Sequence, residues 1–241
     1  MIKSLYQEIK NELLCAADKK VAQDSARYHK YDGYRSYGVK TSVRDRILKS
    51  YKRRISALSC KDSVALALLF YRDRVEETVL AGNFILQTNI DSLGVDHLAF
   101  LDRALNYFNS WSTIDDFCID VLQPLLNRYP QEVLKLISNW NRSKNMWKRR
   151  ASVVAFTRKC GESGKFTKPA LALCENLLKD KEDLVRKGVG WCLKDVLRGD
   201  QEKVLQYVKD LRKRGVSSTI TLYAIRDLKG AQRAEVLAIK N

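Results

Sequence analysis

The chain has 241 residues, of which 44 are Lys or Arg and 28 are Asp or Glu, so its formal net charge is +16. Apolar residues make up 45% of the chain, which excludes wholesale disorder, and no run of about 18 apolar residues suggests a membrane-spanning helix. The large positive charge favours a polyanionic partner, either nucleic acid or an anionic membrane surface.

The composition favours helices and argues against metal chemistry. Three prolines and 11 glycines are fewer turn residues than a sandwich or barrel needs. The two histidines, His29 and His97, nearly exclude a His-rich metal site. The six cysteines lie far apart, and residues 1–20 lack the uninterrupted apolar core of a secretory signal. We therefore expect reduced, mostly buried thiols in a cytoplasmic protein.

Apolar residues recur at helical spacing from one end of the chain to the other. In chain order, the stripes are Leu5, Ile9, Leu13; Ile47, Tyr51, Ile55; Val64, Leu68, Tyr71; Val79, Phe84, Leu86; Leu98, Leu101, Leu105, Phe108; Ile114, Cys118, Val121; Val133, Leu136, Ile137; Val153, Val154, Phe156; Leu171, Cys174, Leu177, Leu178; Val189, Cys192, Val196; Val204, Tyr207, Val208, Leu211; and Leu222, Ile225, Leu228. The sequence has no alternating strand pattern of useful length, so we predict an all-α protein.

Brief breaks separate these helical segments and imply antiparallel neighbouring helices. The clearest breaks fall at residues 91–94, 129–131, 160–165 and 198–200. Trp111, Trp147 and Trp191 recur 36 and 44 residues apart, which is the period of two-helix repeats of the HEAT class. We therefore predict a single domain over residues 1–241, a curved α-solenoid with a concave basic face lined by the second helix of each pair.

Basic charge is concentrated in two runs. Residues 27–54 carry 10 Lys or Arg against Asp32 and Asp45, and residues 142–165 carry eight against Glu162 alone. One such run usually forms a solvated helix face, but two runs in different repeats of so basic a chain favour a shared basic groove. Tyrosines interleave the first run, and such a mixture suits a phosphate backbone with exposed sugars or bases.

The first of three tryptophan-containing segments combines an aromatic ring with a carboxylate. Trp111 and Asp115 are four residues apart, so they face the same way from one helix. In the simpler alternative, Trp111 is a core residue, and Ser112 caps the helix with Asp115 as its capping-box partner. The Asp116–Asp120 pair is interpreted as part of a solvated face.

The other two segments combine tryptophan with basic residues. Arg150 lies one turn after Trp147, and Arg158, eight residues further on, would lie roughly 80° round the same helix from Arg150. Trp191 lies on a later helix. The neighbouring turns of that helix carry two lysines, Lys187 and Lys194.

The order and spacing of these segments resemble the AlkD family of DNA alkylation repair glycosylases, which are built of HEAT-like helical repeats. The family pattern is Trp-x-x-x-Asp, then Trp-x-x-Arg, then Gly-Trp, matched here by Trp111 and Asp115, Trp147 and Arg150, and Gly190 and Trp191. A family Ala-Arg-Tyr stands here as Ala26-Arg27-Tyr28, and Arg158 matches a later basic residue. Ser110 and Ser112 occupy places where the family often has a second tryptophan or a further acid.

The resemblance implies a DNA glycosylase that hydrolyses the N-glycosidic bond of N3-alkyladenine and N7-alkylguanine in duplex DNA without flipping the base. It implies that Asp115 stabilises the oxocarbenium-like sugar and places a water, while Trp111 and Trp191 pack on the deoxyribose of the lesion. The residues expected to bind DNA are Arg27, Tyr28, Trp147, Arg150, Arg158, Lys187 and Lys194. No metal, cofactor or membrane is implied, and we expect a monomer, nucleoid-associated if the host is a bacterium.

The alternative is a non-catalytic helical scaffold that binds DNA, such as branched DNA, or an acidic protein. Such a scaffold would keep the basic groove. It would not need Asp115 beside Trp111 and Trp191, so the activity of the carboxylate separates the two interpretations.

Overall fold

The computed structural model describes residues 2–31 and 33–239. Within these ranges every regular element is a helix and no strand occurs, which confirms the all-α prediction. Met1, Lys240 and Asn241, at the ends of the predicted single domain, lie outside the described residues, as does Asp32 of the first basic run. The chain divides into two compact units, Met1–Tyr129 and Pro130–Asn241, at one of the breaks that the sequence predicts.

The first unit contains nine α-helices among its described residues. They are α1 Ile2–Cys15, α2 Lys19–His29, α3 Thr41–Ser50, α4 Lys52–Ser56, α5 Cys60–Arg72, α6 Glu76–Thr88, α7 Leu98–Ala104, α8 Trp111–Phe117 and α9 Gln123–Arg128. Short 3-10 helices lie at Ile90–Ser92, Val95–His97 and Leu105–Tyr107, and a π-helical turn, Cys118–Leu122, joins α8 to α9. The predicted stripe of Leu5, Ile9 and Leu13 is buried along α1, where α1 packs against α3 and α5.

Helix α2 begins and ends where local chemistry dictates. The side chain of Asp18 accepts hydrogen bonds from the backbone N–H groups of Lys20 and Val21, which satisfies two of the unpaired donors of the first turn. At the other end, Lys30 adopts a left-handed conformation with φ 50°, and its N–H donates to the carbonyl of Ala26. The chain therefore leaves the helix after His29 and continues as the irregular segment 30–40.

A buried carboxylate at the start of α6 organises that irregular segment. Glu77 is 2% exposed, and its oxygens accept hydrogen bonds from the Ser36 hydroxyl (2.7 Å) and from the N–H groups of Tyr37 (2.9 Å), Gly38 (3.0 Å) and Val39 (2.9 Å). Gly38 has φ 80°, and a Cβ there would lie 2.0 Å from the Asp18 carbonyl oxygen. Only glycine fits this turn.

The second unit contains eight α-helices among its described residues. They are α10 Pro130–Asn141, α11 Met146–Val154, α12 Arg158–Glu162, α13 Thr167–Asn176, α14 Asp183–Gly199, α15 Gln201–Lys213, α16 Ser218–Ala224 and α17 Gly230–Ala238. The long helix α14 is central and packs against α11, α12, α13, α15 and α16. The apolar residues predicted along it, Val189, Cys192 and Val196, are at most 1% exposed.

Two sequence predictions for this unit are wrong. Arg150 and Arg158 do not share a helix, because α11 ends at Val154 and a new helix begins at Arg158. The predicted break at 160–165 begins too early, since Arg158–Glu162 is itself a short helix and α13 begins at Thr167. Both errors arise because the chain turns sharply at Arg158, whose φ of 51° is left-handed and rare for a residue that is not glycine.

All six cysteines are free thiols. Four of them, Cys118, Cys160, Cys174 and Cys192, are buried, which agrees with the expected reduced core thiols. Within residues 2–31 and 33–239, none of the helices combines the length and apolar character needed to cross a bilayer.

The contacts of Glu77 predict a large stability effect for a small change. Glu77→Gln replaces one carboxylate oxygen by an NH₂ group that cannot accept the N–H donors of segment 36–39. We expect the free energy of unfolding, measured by urea denaturation, to fall by about 2–4 kcal/mol. The matched control Glu132→Gln changes an exposed residue of α10 and should stay within about 0.5 kcal/mol of the original chain. Equal stability of the two variants would contradict this assignment.

Candidate functional site

Helix α8 carries the first predicted pair of site residues. Trp111 is its first residue and is partly exposed, while Asp115, one turn later, is only 8% exposed. The N-cap is Ser110, with φ −143°, and its hydroxyl accepts a hydrogen bond from the Thr113 N–H at 3.3 Å. The alternative in which Ser112 caps the helix with Asp115 as its partner is therefore wrong. Trp111 and Asp115 do lie on one helix, as the spacing predicts.

Aromatic rings from α2 and from the irregular segment that follows it stack beside Trp111. The ring of His29 stacks on the indole, with 4.9 Å between centroids and 22° between planes, and Tyr28 meets the same indole edge-on at 5.8 Å. The ring of Tyr34 covers His29 at 4.0 Å and 10°. We call Tyr34, His29 and Trp111 the aromatic stack. The predicted residues Tyr28 and Trp111 thus lie together, although 83 positions separate them in the sequence.

Sequence reasoning missed His29 and Tyr34. His29 directly follows the Ala-Arg-Tyr motif, but nothing in its position shows that its ring contacts a residue on α8. The Nδ1 atom of His29 is buried and makes no hydrogen bond within the described part of the chain. Burial lowers the pKa of His29 from its ordinary value near 6.5.

A second buried carboxylate of α6 lies at the N-terminus of α8. Glu76 is 8% exposed and accepts hydrogen bonds from the hydroxyls of Ser110, at 2.5 Å, and Ser112. Burial raises the pKa of Glu76, and the two hydroxyl groups act in the opposite direction. Ser110 and Ser112, which depart from the family pattern, therefore bind an acid supplied from another helix. No sequence signal connects Glu76 to these serines.

Asp116, the residue after Asp115, helps to hold α8 against α6. Asp116 accepts a hydrogen bond from the Asn83 side-chain amide at 2.8 Å, and the same amide donates to the Thr113 carbonyl at 3.1 Å. Tyr71 donates to Asn83 at 3.0 Å. Burial raises the pKa of Asp116 to about 6, and the charge of Asp120 adds to the shift. Asp116 and Asp120 are both partly exposed, so they reach solvent as interpreted, but Asp116 is in addition bound by Asn83 of α6.

The end of α2 presents the other predicted residues of the first unit. Arg27 is exposed and lies 3.3 Å from Asp24, an exposed pair that contributes little to stability. Tyr28 is 71% exposed even though it touches Trp111. Both side chains are accessible to a macromolecular partner, and their role in binding DNA stays a prediction.

In the second unit, Trp147 and Arg150 are largely buried. Trp147 is 4% exposed, and the side chain of Asn145 accepts a hydrogen bond from its N–H at 2.9 Å as the N-cap of α11. Arg150 is 5% exposed, and its guanidinium donates to the Leu184 carbonyl at the start of α14. Their part in DNA binding stays a prediction, and Arg150 joins α11 to the start of α14 through this hydrogen bond.

Arg158 and Trp191 lie together on the surface of the second unit. The backbone N–H of Arg158 donates to the carboxylate of Asp195 at 2.6 Å, and Asp195 is 1% exposed. The Arg158 guanidinium lies 5.6 Å from the centroid of the partly exposed Trp191 ring, a cation–π distance. At Gly190, a Cβ would lie 2.7 Å from the Cβ of Tyr223, so glycine there allows α16 to approach α14 beside Trp191.

The two predicted lysines differ in environment. Lys187 is exposed and pairs with Asp183 at 2.7 Å, one turn earlier on α14. Lys194 is 8% exposed and lies 3.0 Å from Asp195 and 3.4 Å from Asp227. Its charge is already matched by carboxylates inside the unit. The contribution of both lysines to DNA binding stays a prediction.

Each unit presents its own group of residues with a distinct chemistry. The first offers a buried carboxylate, Asp115, one turn from a partly exposed indole that is backed by stacked rings. The second offers an exposed guanidinium, that of Arg158, lying over another indole. Indole faces attract cations, and an arginine can bind phosphate through charge-assisted hydrogen bonds. Within the described ranges, no group of three or more His, Cys, Asp or Glu side chains is arranged to hold a metal ion.

Comparisons with known proteins add three findings. A family model described as "DNA alkylation repair enzyme" matches residues 9–228. A solved structure described as a predicted DNA alkylation repair enzyme from Enterococcus faecalis is 13% identical, with a TM-score of 0.74 over 89% of this chain and 98% of that one, which shows a shared fold. The Pseudomonas fluorescens alkylpurine DNA glycosylase AlkC, bound to DNA with an abasic site analog, is 16% identical over 92% of this chain and 61% of that one, with a TM-score of 0.49. None of the curated proteins matches.

The raised pKa of Asp116 predicts a pH-dependent contribution to folding. The Asp116 carboxyl binds its proton more tightly in the folded chain than in the unfolded chain. The stability that this bound proton contributes is therefore fully present below about pH 4 and is lost as the pH rises through about 6. Asp116→Asn cannot ionise. We therefore expect the free energy of unfolding of Asp116→Asn, relative to that of the original chain, to rise by up to about 3 kcal/mol between pH 4 and 7.

Urea denaturation at several pH values measures this difference. The control Asp96→Asn changes an exposed acid and should give a difference that does not vary with pH. A constant difference for Asp116→Asn as well would show that burial does not hold a proton on Asp116.

Proposed function

The chain belongs to the DNA alkylation repair enzyme family, and on that premise we propose that it is a DNA glycosylase for alkylated duplex DNA. In this proposal it hydrolyses the N-glycosidic bond of cationic alkylpurines, N3-alkyladenine and N7-alkylguanine. One observation supports it most strongly: the buried carboxylate of Asp115 lies one helical turn from the partly exposed indole of Trp111.

For this reaction, the protein has to supply a stabilising negative charge and a positioned water. Alkylation at N3 or N7 makes the purine cationic, so the base is already a good leaving group. As the bond breaks, positive charge develops on the sugar, and the fixed carboxylate of Asp115 stabilises that charge and positions a water to attack C1′. No cofactor or metal takes part in this proposal.

The indoles receive the damaged nucleotide. In the proposal, Trp111 packs its face on the deoxyribose, where the attraction between a cation and an aromatic face adds to the stabilisation. The same contact by Trp191 stays a prediction. The lesion then stays stacked in the duplex, unlike in enzymes that extrude the base. Partial exposure of both indoles supports this role, because fully buried tryptophans could not touch DNA.

Exposed basic groups bind the phosphate backbone. Arg158, Arg27 and Lys187 are the exposed basic members of the predicted set, and the net charge of +16 supplies long-range attraction. Trp147, Arg150 and Lys194 support this surface from inside the second unit. We propose that the chain binds duplex DNA as a monomer.

The catalytic assignment predicts a specific loss in Asp115→Asn. The change preserves shape but removes the charge that acts in the transition state, so release of N7-methylguanine should fall at least ~100-fold, a barrier increase of about 2.7 kcal/mol. Affinity for DNA should stay within about threefold, because the carboxylate makes no phosphate contact in the proposal. Single-turnover base release from methylated duplex, with a melting curve for each variant, measures both quantities.

Asp120→Asn is the matched control, since it removes a carboxylate five residues later, at a position without a role in this chemistry. Its rate should equal that of the original chain. Unchanged turnover in folded Asp115→Asn would overturn the assignment. An original chain that binds DNA but releases no base would favour the non-catalytic scaffold.

The phosphate assignment predicts that Arg158→Ala weakens binding to damaged and undamaged duplex equally, because phosphate contacts carry no sequence information. With about five phosphates contacted, log K should fall with log salt at a slope near −4 to −5, and the variant should lose about one unit of that slope. Lys135→Ala removes one exposed charge from α10 of the same unit and should leave the slope unchanged. A loss confined to damaged DNA would contradict a phosphate contact by Arg158.

A further inference from the structure

His29 lies between two aromatic rings that come from different parts of the first unit. His29 is the last residue of α2. Tyr34, from segment 30–40, covers one side at 4.0 Å between centroids, and Trp111, the first residue of α8, stacks at 4.9 Å. Both neighbours are nearly parallel to the imidazole, at 10° and 22°. On α2, His29 and Tyr28 both contact the indole of the candidate site, and His29 is the residue through which Tyr34 reaches that indole.

Both neighbours of His29 are held independently of it. The segment that carries Tyr34 is fixed by the four hydrogen bonds that Glu77 accepts from residues 36–39. The start of α8 is fixed by Ser110, which caps the helix and donates to Glu76. The gap between the two rings therefore has a set width, and a planar ring at position 29 fills it.

We propose that His29 is a positioning residue for the glycosylase reaction proposed above: by stacking on Trp111, it fixes the indole plane that receives the damaged nucleotide. The inference rests on that proposed function. His29 itself does not touch the reacting atoms and acts through Trp111.

The charge of the ring matters because the base to be released is a cation. Tyr28 from α2, Tyr34 from segment 30–40 and Trp111 from α8 surround the imidazole, and none of these side chains is an ammonium or a carboxylate. Charges further out come from α6, where Glu76 and Glu77 act on Tyr34, and from the acids of α8, Asp115 and Asp116.

Burial therefore favours the neutral imidazole. A protonated His29 would place a positive charge directly behind the indole that receives a positive base. We expect the reaction to slow as His29 gains a proton, and this happens below pH 6.5 because the pKa of His29 is lowered from that value.

Two variants separate a positioning role from simple core filling. His29→Phe keeps a planar, uncharged ring, whereas His29→Leu removes the ring but retains apolar bulk. At pH 7.5, we expect single-turnover base release by His29→Phe within about threefold of the original chain, and release by His29→Leu at least ~10-fold slower. The affinity of both for undamaged duplex should change less than about twofold, since no phosphate contact is lost.

The pH profile provides a readout that a merely structural role would not move. The ratio of the original rate to the His29→Phe rate cancels the titration of the groups that both proteins share, among them Asp116 and Glu76. We expect the ratio to be constant above pH 6.5 and to fall below it as His29 is protonated. In the control His97→Leu, which changes the other histidine, the ratio of its rate to the His29→Phe rate should still fall below pH 6.5.

The stack itself can be observed without activity. With two histidines in the chain, proton NMR resolves both imidazoles, and His97→Leu assigns them. Ring currents from Tyr34 and Trp111 should shift the His29 signals upfield, and the shift should shrink in Trp111→Leu. Titration of these signals gives the pKa at which the rate ratio should change.

The possible failures are distinguishable. An original chain that releases no base overturns the proposed function, and this inference with it. An active chain in which His29→Leu matches the original rate, or in which His29→Phe and His29→Leu are equally slow, overturns this inference alone. If His29→Leu does not fold, His29→Phe still decides: a rate ratio that stays constant through the His29 titration, or His29 signals unaffected by Trp111→Leu, overturns it.

Discussion

Two neighbouring carboxylates in the first turn of α6 determine where the groups of the candidate site lie. Glu77 binds the backbone of segment 36–39, and Glu76 binds the serines at the start of α8. The N-terminus of a helix stabilises a negative charge because the unpaired N–H groups of its first turn carry partial positive charge. This electrostatic support helps to explain how two adjacent acids can be buried side by side. Segment 30–40 and α8, distant in sequence, are thereby bound to the same turn of one helix, and the aromatic stack forms between them.

In the second unit, Asp195 plays a similar part. Asp195, 1% exposed on α14, accepts the N–H of Arg158 and pairs with Lys194. Its hydrogen bond stabilises the left-handed backbone at Arg158, which a residue other than glycine adopts at a cost of about 1 kcal/mol or more. In both units, therefore, a buried acid fixes an irregular stretch of backbone. In the second unit that stretch presents Arg158 beside Trp191. In the first unit it presents Tyr34, which reaches Trp111 through the ring of His29.

The helices could be predicted from the sequence because their signal is local. Leu5, Ile9 and Leu13 repeat at the helical period and are buried, and the break at Tyr129–Pro130 is where one helix ends and the next begins. The shared helix of Trp111 and Asp115 follows from their spacing in the same way. The turn at Arg158 was missed, because arginine carries no signal for a left-handed backbone and the residue that stabilises it, Asp195, is 37 positions away.

The surroundings of the site could not be predicted for the same physical reason. The contacts of His29 with Trp111, and of Glu76 with Ser110, join residues separated by 82 and 34 positions. Such contacts leave no periodic trace in the sequence. The same holds for Asp116: it follows Asp115 on the same short helix, and the i,i+4 spacing with Asp120 indicates a solvated face. Asp116 is partly exposed, but its contact with Asn83 of α6 leaves no signal in the sequence.

The π-helical turn Cys118–Leu122 affects the direction in which α8 presents its side chains. A π turn accommodates one residue more than the α-helix around it, so it takes up the equivalent of a single-residue insertion between α8 and α9. The same insertion within a regular α-helix would rotate α8 by about 100° relative to α9. Trp111 and Asp115 would then face a different direction with every side chain of α8 unchanged. The π turn therefore lets the chain between α8 and α9 carry an extra residue while the side chains of α8 keep their direction.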